Sequence, residues 1–247
     1  MLVYLDQNYA SRIAKYLLGQ RSHEAHGLLY QSLLRAQVTA PPSPFHVLEA
    51  AYPARERIAG KRGYLVPTLK TLFKTLSRGF WVRPWEEVLE RQRKNNGHLL
   101  REDLLSKRGN WDTPADLWGL EGITELELKG SFLQCTWQAQ TAIVERLGLP
   151  RSAEHLPFVQ ILARLLAFRA TDATRQPQPS DLTDLVMAAT VRPYVDVLAT
   201  DRYIKEALGR VGYGQGVYGG RQQEVLQFAR ELESHTPEGP ATIDRED

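Results

Sequence analysis

The chain has 247 residues, 43% hydrophobic and 24% charged, with a formal net charge of +2. That length buries a sizeable core, in one large domain or one domain with a big insertion, and the composition excludes disorder as the main state. The single cysteine, Cys135, excludes an internal disulfide and a cysteine cluster for zinc, and within SFLQCTWQAQ it reads as a packed side chain.

The opening LVYLD is a short apolar run rich in β-formers that ends in a carboxylate, the pattern of a buried strand delivering Asp6 at its C-terminal end. Tyr9, Ile13, Tyr16 and Leu17 then recur at helical spacing, with Gly19 as a stop. Ser22 suits the cap of a second helix through about Ala36, followed by QVTA as a short strand. Ser43 as N-cap with Pro44 at the first helical position makes a strong helix start and places Glu49 early in that helix. Strand, helix, strand and helix in alternation predict an α/β fold with a small, mostly parallel sheet flanked by helices.

From about 61 to 175 the apolar spacing is mainly helical, with FWV at 80–82 as a further strand. Trp81, Trp85, Trp111, Trp118 and Trp137 all fall in this stretch, which predicts aromatic packing of its own. Residues 55–108 hold fourteen Lys or Arg against six acids, a local +8 that leaves about −6 for the remainder. A basic block beside acidic stretches is compatible with gripping a polyanion in one region and holding metal in another.

TRQPQPS, 174–180, reads as a connector leading to Ser180 as the cap of a helix DLTDLVMAAT. VDVLAT, 195–200, is the clearest strand and ends in Asp201, and RYIKEAL continues as a helix. A last short strand is expected within GYGQGVYGG, then a helix from Gln222 to about Ser234. The reading is one domain over 1–234, a core of 1–60 and 176–234 with a helical insertion at 61–175, and a disordered tail at 235–247. No run approaches the roughly 18 apolar residues of a membrane span, and MLVYLDQN lacks the regions of a signal peptide, so the expected location is cytoplasmic.

Two apolar strands each end in an aspartate, Asp6 and Asp201, and C-terminal strand ends of a parallel sheet converge where ligands bind. Asp181 and Asp184 lie at i and i+3 in the first turns of one helix, and Glu49 holds the analogous position in the other half. Carboxylates brought together repel unless a divalent cation neutralises them, and oxygen ligands without Cys or His favour Mg²⁺ or Mn²⁺. The chemistry suited to such a site is attack of water on a phosphodiester, with the metal lowering the water's pKa and the cations stabilising charge on the phosphoryl oxygens.

The series VYLDQN, SPFHVLEA, DLVMAA and DVLATD resembles the PIN-domain nucleases over about residues 1–55 and 178–208. The resemblance implies a small parallel sheet flanked by helices and acids that bind Mg²⁺ or Mn²⁺ to cut RNA or, in the flap endonuclease relatives, structured DNA. Asp6, Glu49, Asp184 and Asp201 match the metal-binding acids, and Asn8 and Thr200 match the polar residues that accompany the first and last of them. Asp184 fits the pattern better than Asp181, whose place after Ser180 suits stabilisation of a helix N-terminus, although Asp181 stays in the candidate metal set. The chain is far longer than the compact ribonuclease toxins of that family, and about 115 residues separate its matched halves.

Each candidate has a plainer reading: Asp6 and Asp201 as helix caps, Glu49 as a surface glutamate. Asp196, five residues before Asp201, reads as structural. No histidine has metal-ligand spacing, and His23 and His26 read as solvated. Lys61 and Arg62, in the basic stretch 55–62, and Arg202, next to Asp201, are candidate phosphate contacts, although the basic stretches 55–62 and 91–96 are more often solvated faces. The expectation is a metal-dependent endoribonuclease, with RNA favoured over DNA. The alternatives are a DNA or structure-specific nuclease and a catalytically silent module that binds nucleic acid or protein. A toxin partnered by a protein antitoxin is compatible with either nuclease reading.

Overall fold

The computed structural model describes residues 1–50, 65–172, 178 and 181–234. The Ser180 cap, Lys61 and Arg62, the basic stretch 55–62 and the tail 235–247 lie outside them. Among the described residues no helix is long and apolar enough to cross a membrane.

In chain order the elements are β1 (Val3–Leu5), α1 (Gln7–Leu17), a 3-10 turn (Arg21–His23), α2 (Glu24–Arg35), α3 (Pro44–Ala50), α4 (Val66–Leu76), β2 (Trp81–Val82), α5 (Trp85–Lys94), α6 (Arg101–Leu104) and β3 (Leu105–Ser106). There follow α7 (Phe132–Arg146), α8 (Pro157–Thr171), α9 (Asp181–Val191), β4 (Val197–Ala199), α10 (Arg202–Arg210), β5 (Val217–Tyr218) and α11 (Gln222–Ser234). The fold is α/β. Its main sheet has strand order β1-β4-β5, all parallel, with Leu5 opposite Ala199 and Ala199 opposite Tyr218.

Period-2 alternation gives each face of the sheet its own core. Tyr4 and Leu198 face one cluster, with α7, α8, α9 and α10, while Val3, Leu5, Val197 and Ala199 face the other, with α1, α2, α4 and α11. The aromatic packing expected within the helical insertion is present in part, and it is continuous with the core of the sheet. Trp85 stacks on Phe158 at 5.4 Å between ring centroids, and both belong to the cluster that holds Leu2 and Tyr4. Trp81 and Trp111 meet edge to face at 5.6 Å, but Trp118 and Trp137 are 78% and 64% exposed. Too few apolar partners close on the last two to bury them.

Other local expectations shift for identifiable reasons. The second helix begins at Glu24 after a 3-10 turn that contains Ser22, and it has no side-chain cap. Leu17 is exposed because α1 ends there, whereas Tyr9 and Ile13 are buried. QVTA contributes a single parallel bridge, Leu2 to Thr39, rather than a strand. Trp81–Val82 pairs antiparallel with Leu105–Ser106 in a separate two-stranded sheet. Cys135 is buried, as its context predicts.

Candidate functional site

β1 and β4 are hydrogen-bonded neighbours, and each leads into an aspartate that starts a helix, Asp6 immediately after β1 and Asp201 after Thr200 at the end of β4. Asp6 has φ −65° and ψ 171°, and its Oδ1 accepts from the Tyr9 N–H at 3.0 Å. Asp201 has φ −74° and ψ 172°, and its Oδ1 accepts from the Ile204 N–H at 2.8 Å. Both are therefore helix caps in the same geometry. The Asp6 N–H also donates to the Ala199 carbonyl at 2.9 Å, which ties one acid to the strand that delivers the other.

Glu49 enters from α3 and Asp184 from the first turn of α9. Burial and then the charges of Glu49, Asp201, Asp6 and Asp181 push the Asp184 carboxyl up to about 8. Asp6 is pushed up to about 6, by burial first and then by Asp201, against the lowering effect of hydrogen bonds from the Tyr9 and Asn8 backbone. Tyr4 beneath them is raised by burial and by the charges of Glu49, Asp6 and Asp184. The fold thus brings Asp6, Glu49, Asp184 and Asp201 within one electrostatic neighbourhood. Asp6 is nearly enclosed, while the other three keep partial contact with solvent.

Asp181 is placed differently. It is 1% exposed, accepts from the Gln178 N–H at 2.9 Å, and pairs with Arg169 Nε at 3.2 Å. Arg169, on α8, also donates to the Thr124 carbonyl. The charge of Asp181 is therefore balanced within the protein.

Thr200 is fully buried beside Asp6 and favours its charged form, yet its Oγ1 makes no hydrogen bond of normal geometry. Gln7, immediately after Asp6, has a buried Oε1 with no hydrogen-bond partner among the described residues. Asn8 is exposed and acts on Asp6 through its backbone. Arg202 is exposed at the first position of α10. In the basic stretch 91–96, Arg93 and Lys94 pair with Glu90 at 3.3 and 3.6 Å and Arg91 with Asp103 at 3.7 Å, a solvated ion-pair face. Asp196 is structural, accepting from the Leu2 N–H at 2.7 Å and pairing with Arg101 at 2.6 Å.

His46 is the site-positioning residue that spacing alone did not single out. It is buried, its Nδ1 accepts from the Ser43 N–H at 3.0 Å, and its Nε2 donates to the Leu5 carbonyl at 2.7 Å. Ser43 Oγ in turn lies 2.7 Å from the Tyr4 hydroxyl and 3.3 Å from the His46 N–H. This is a capping box with histidine in place of glutamate. It holds α3, which carries Glu49, against the strand end that carries Asp6. The signal in the sequence was the Ser-x-x-His spacing at a Ser-Pro helix start.

The donor set suits a hard divalent cation: anionic oxygens whose repulsion it would relieve, with unsatisfied neutral oxygens at Gln7 and Thr200 beside them. As the side chains stand, no group of three or more His, Cys, Asp or Glu among the described residues closes on one point to ligate an ion. Oxygen ligands of Mg²⁺ sit at about 2.1 Å, and retained waters bridge acids that stand further off. No family model, curated protein or solved structure matches the chain.

Proposed function

We propose that this chain is a PIN-like nuclease that uses Mg²⁺ or Mn²⁺ to hydrolyse phosphodiester bonds, with RNA as the favoured substrate. One observation carries the reading: caps at the ends of two paired parallel strands bring Asp6 and Asp201 together, and Asp184 beside them is held up to about 8 by burial and by its acidic neighbours. A group of acids that raise one another's proton affinity is stable at neutral pH only with protons or a cation among them.

Asp6, Glu49, Asp184 and Asp201 would hold the cation, and Asn8 and Thr200 would flank it. When bound, the cation supplies an activated water and neutralises charge on the phosphoryl oxygens. The protein's own part is positioning. Helix caps fix Asp6 and Asp201, His46 ties α3 to β1, and Arg202 stands exposed next to Asp201 where a phosphate would pass. Partial exposure of Asp184, Asp201 and Glu49 leaves the acids open to a strand.

Labelled RNA and DNA panels incubated with Mg²⁺, Mn²⁺ or chelator test this. The expected result is cation-dependent cleavage of RNA that Asp201→Asn abolishes; cleavage of DNA alone would move the substrate class and keep the chemistry. A second reading is favoured by the absence of a closed ligand group among the described acids. It is a catalytically silent module of the same fold that binds nucleic acid or a partner protein. Calorimetry with Mg²⁺ and Mn²⁺ separates the two. If neither ion binds nor raises the melting temperature, the silent reading replaces the enzymatic one.

A further inference from the structure

Tyr9 joins the acidic site to a second pocket of opposite character. Its N–H donates to Asp6, its hydroxyl donates to the Gly219 carbonyl, and its ring lies 5.6 Å from the ring of His26. Arg12, Arg21, His23, Glu24, His26 and Gly220 line this pocket, whose volume is about 350 Å³, within the range of small-ligand sites. Arg12 Nη1 donates to the Gly220 carbonyl at 2.8 Å, which orients the guanidinium across the pocket wall.

Two independent features point to an anion. Arg12 and Arg21 outweigh the one acid, Glu24, and among the described residues neither arginine is in an ion pair. The helix Glu24–Arg35 starts beside the pocket as a continuation of the 3-10 turn Arg21–His23, whose Arg21 carbonyl accepts from the Glu24 N–H, so the pocket's anion-binding capacity rests on its side chains. His26 is only 5% exposed and its Nε2 has no hydrogen-bond partner among the described residues. Burial first, then Arg12 and His23, lower His26 to about 4. The ring is thus neutral at physiological pH, with a nitrogen able to donate. The sequence reading had left His26 solvated, and packing against Tyr9 overturns that.

We propose that this pocket binds a phosphate group, that of a nucleotide neighbouring the cleavage point of a nucleic-acid strand. The nucleic-acid source rests on the nuclease reading; the phosphate chemistry does not. Arg12 and Arg21 supply charge-assisted hydrogen bonds, and His26 supplies a neutral donor at the pocket wall.

The test titrates inorganic phosphate into the full chain and follows the imidazole nitrogen signals of His26 and His23 by NMR. The expected result is a saturable shift of His26 in the wild type and in Asp6→Asn. Arg21→Ala weakens binding roughly tenfold, the loss of one hydrogen bond to a charged group. Glu24→Gln tightens binding, because it removes the one opposing charge. Arg12→Gln weakens it too, and the exposed Arg21 keeps the test valid if loss of the Arg12 contact to Gly220 loosens the fold. No His26 shift, or wild-type affinity in both arginine variants, overturns the site. A short oligoribonucleotide that competes with phosphate for the His26 shift supports the nucleic-acid source. Phosphate binding in a protein that cuts no nucleic acid keeps the phosphate site and overturns the nuclease reading alone.

Discussion

Asp6 and Asp201 are the same device built twice: Asp6 follows β1 directly and Asp201 follows β4 after Thr200, and each accepts a backbone hydrogen bond from three residues on, at 3.0 and 2.8 Å. Each cap spends carboxylate oxygen on the first turn of a helix and in doing so fixes where the acid sits. The capping role of these residues would coexist with the cation-binding role proposed for them, and substitution separates the two.

Asparagine caps helices about as well as aspartate, whereas alanine costs about 1 kcal/mol. Asp201→Asn is expected to melt within a few degrees of the wild type and to lose cation-dependent cleavage by on the order of a hundredfold or more. Asp201→Ala should lose both. Thermal melts beside cleavage assays check this, and an Asp201→Asn protein with normal activity would remove Asp201 from the site.

The raised carboxyls set a pH dependence. Asp184 at about 8 and Asp6 at about 6 bind their protons more tightly in the folded chain than in the unfolded one. Their contribution to stability is therefore complete below the unfolded value of ~3.9 and is lost as pH rises through the folded values. In chelator, the melting temperature is expected to fall between about pH 4 and pH 8 relative to Asp184→Asn, in which the upper part of that fall is absent. Mg²⁺ or Mn²⁺ should stabilise the wild type more at pH 8 than at pH 5. Parallel curves for wild type and variant would mean that Asp184 is not held against other charges.

Asp181 and Asp184 should part company on substitution. Asp181→Asn leaves Arg169 with no carboxylate partner in a largely enclosed position, and breaking a buried pair in this way costs about 3–5 kcal/mol. Asp184→Asn removes repulsion and should raise the melting temperature at neutral pH while abolishing cation binding. Calorimetry that finds cation binding lost in a folded Asp181 variant would return Asp181 to the ligand set.

His46→Phe keeps the ring volume but leaves the Leu5 carbonyl and the Ser43 N–H without their partner. Each orphaned buried group costs about 1–3 kcal/mol. Because burial lowers His46 to about 4, its contribution is complete above the unfolded value near 6.5 and is lost as pH falls through about 4. The wild type should thus lose stability between those pH values relative to the variant, and acid denaturation curves read the difference.

Much of the site was legible because it rests on local chemistry. LVYLD and VLATD are apolar runs that can bury only as strands, and an aspartate that follows a strand and precedes an amphipathic run caps the next helix. Ser43 and Pro44 likewise announce α3, and the helix Gln222–Ser234 has the predicted bounds. What only the tertiary structure decided depends on contacts between residues far apart in the chain. The sequence pattern favours Asp184 over Asp181, but it is the packing of α9 against α8 that sets Asp181 onto Arg169 and Asp184 among the charges of Glu49, Asp201 and Asp6. His46 and His26 read as unremarkable polar residues until β1 and Tyr9 close over them. That the helical insertion shares a core with β1, through Phe158 and Trp85, was not legible in the sequence, because periodicity reports which face of a helix is apolar but not what covers it.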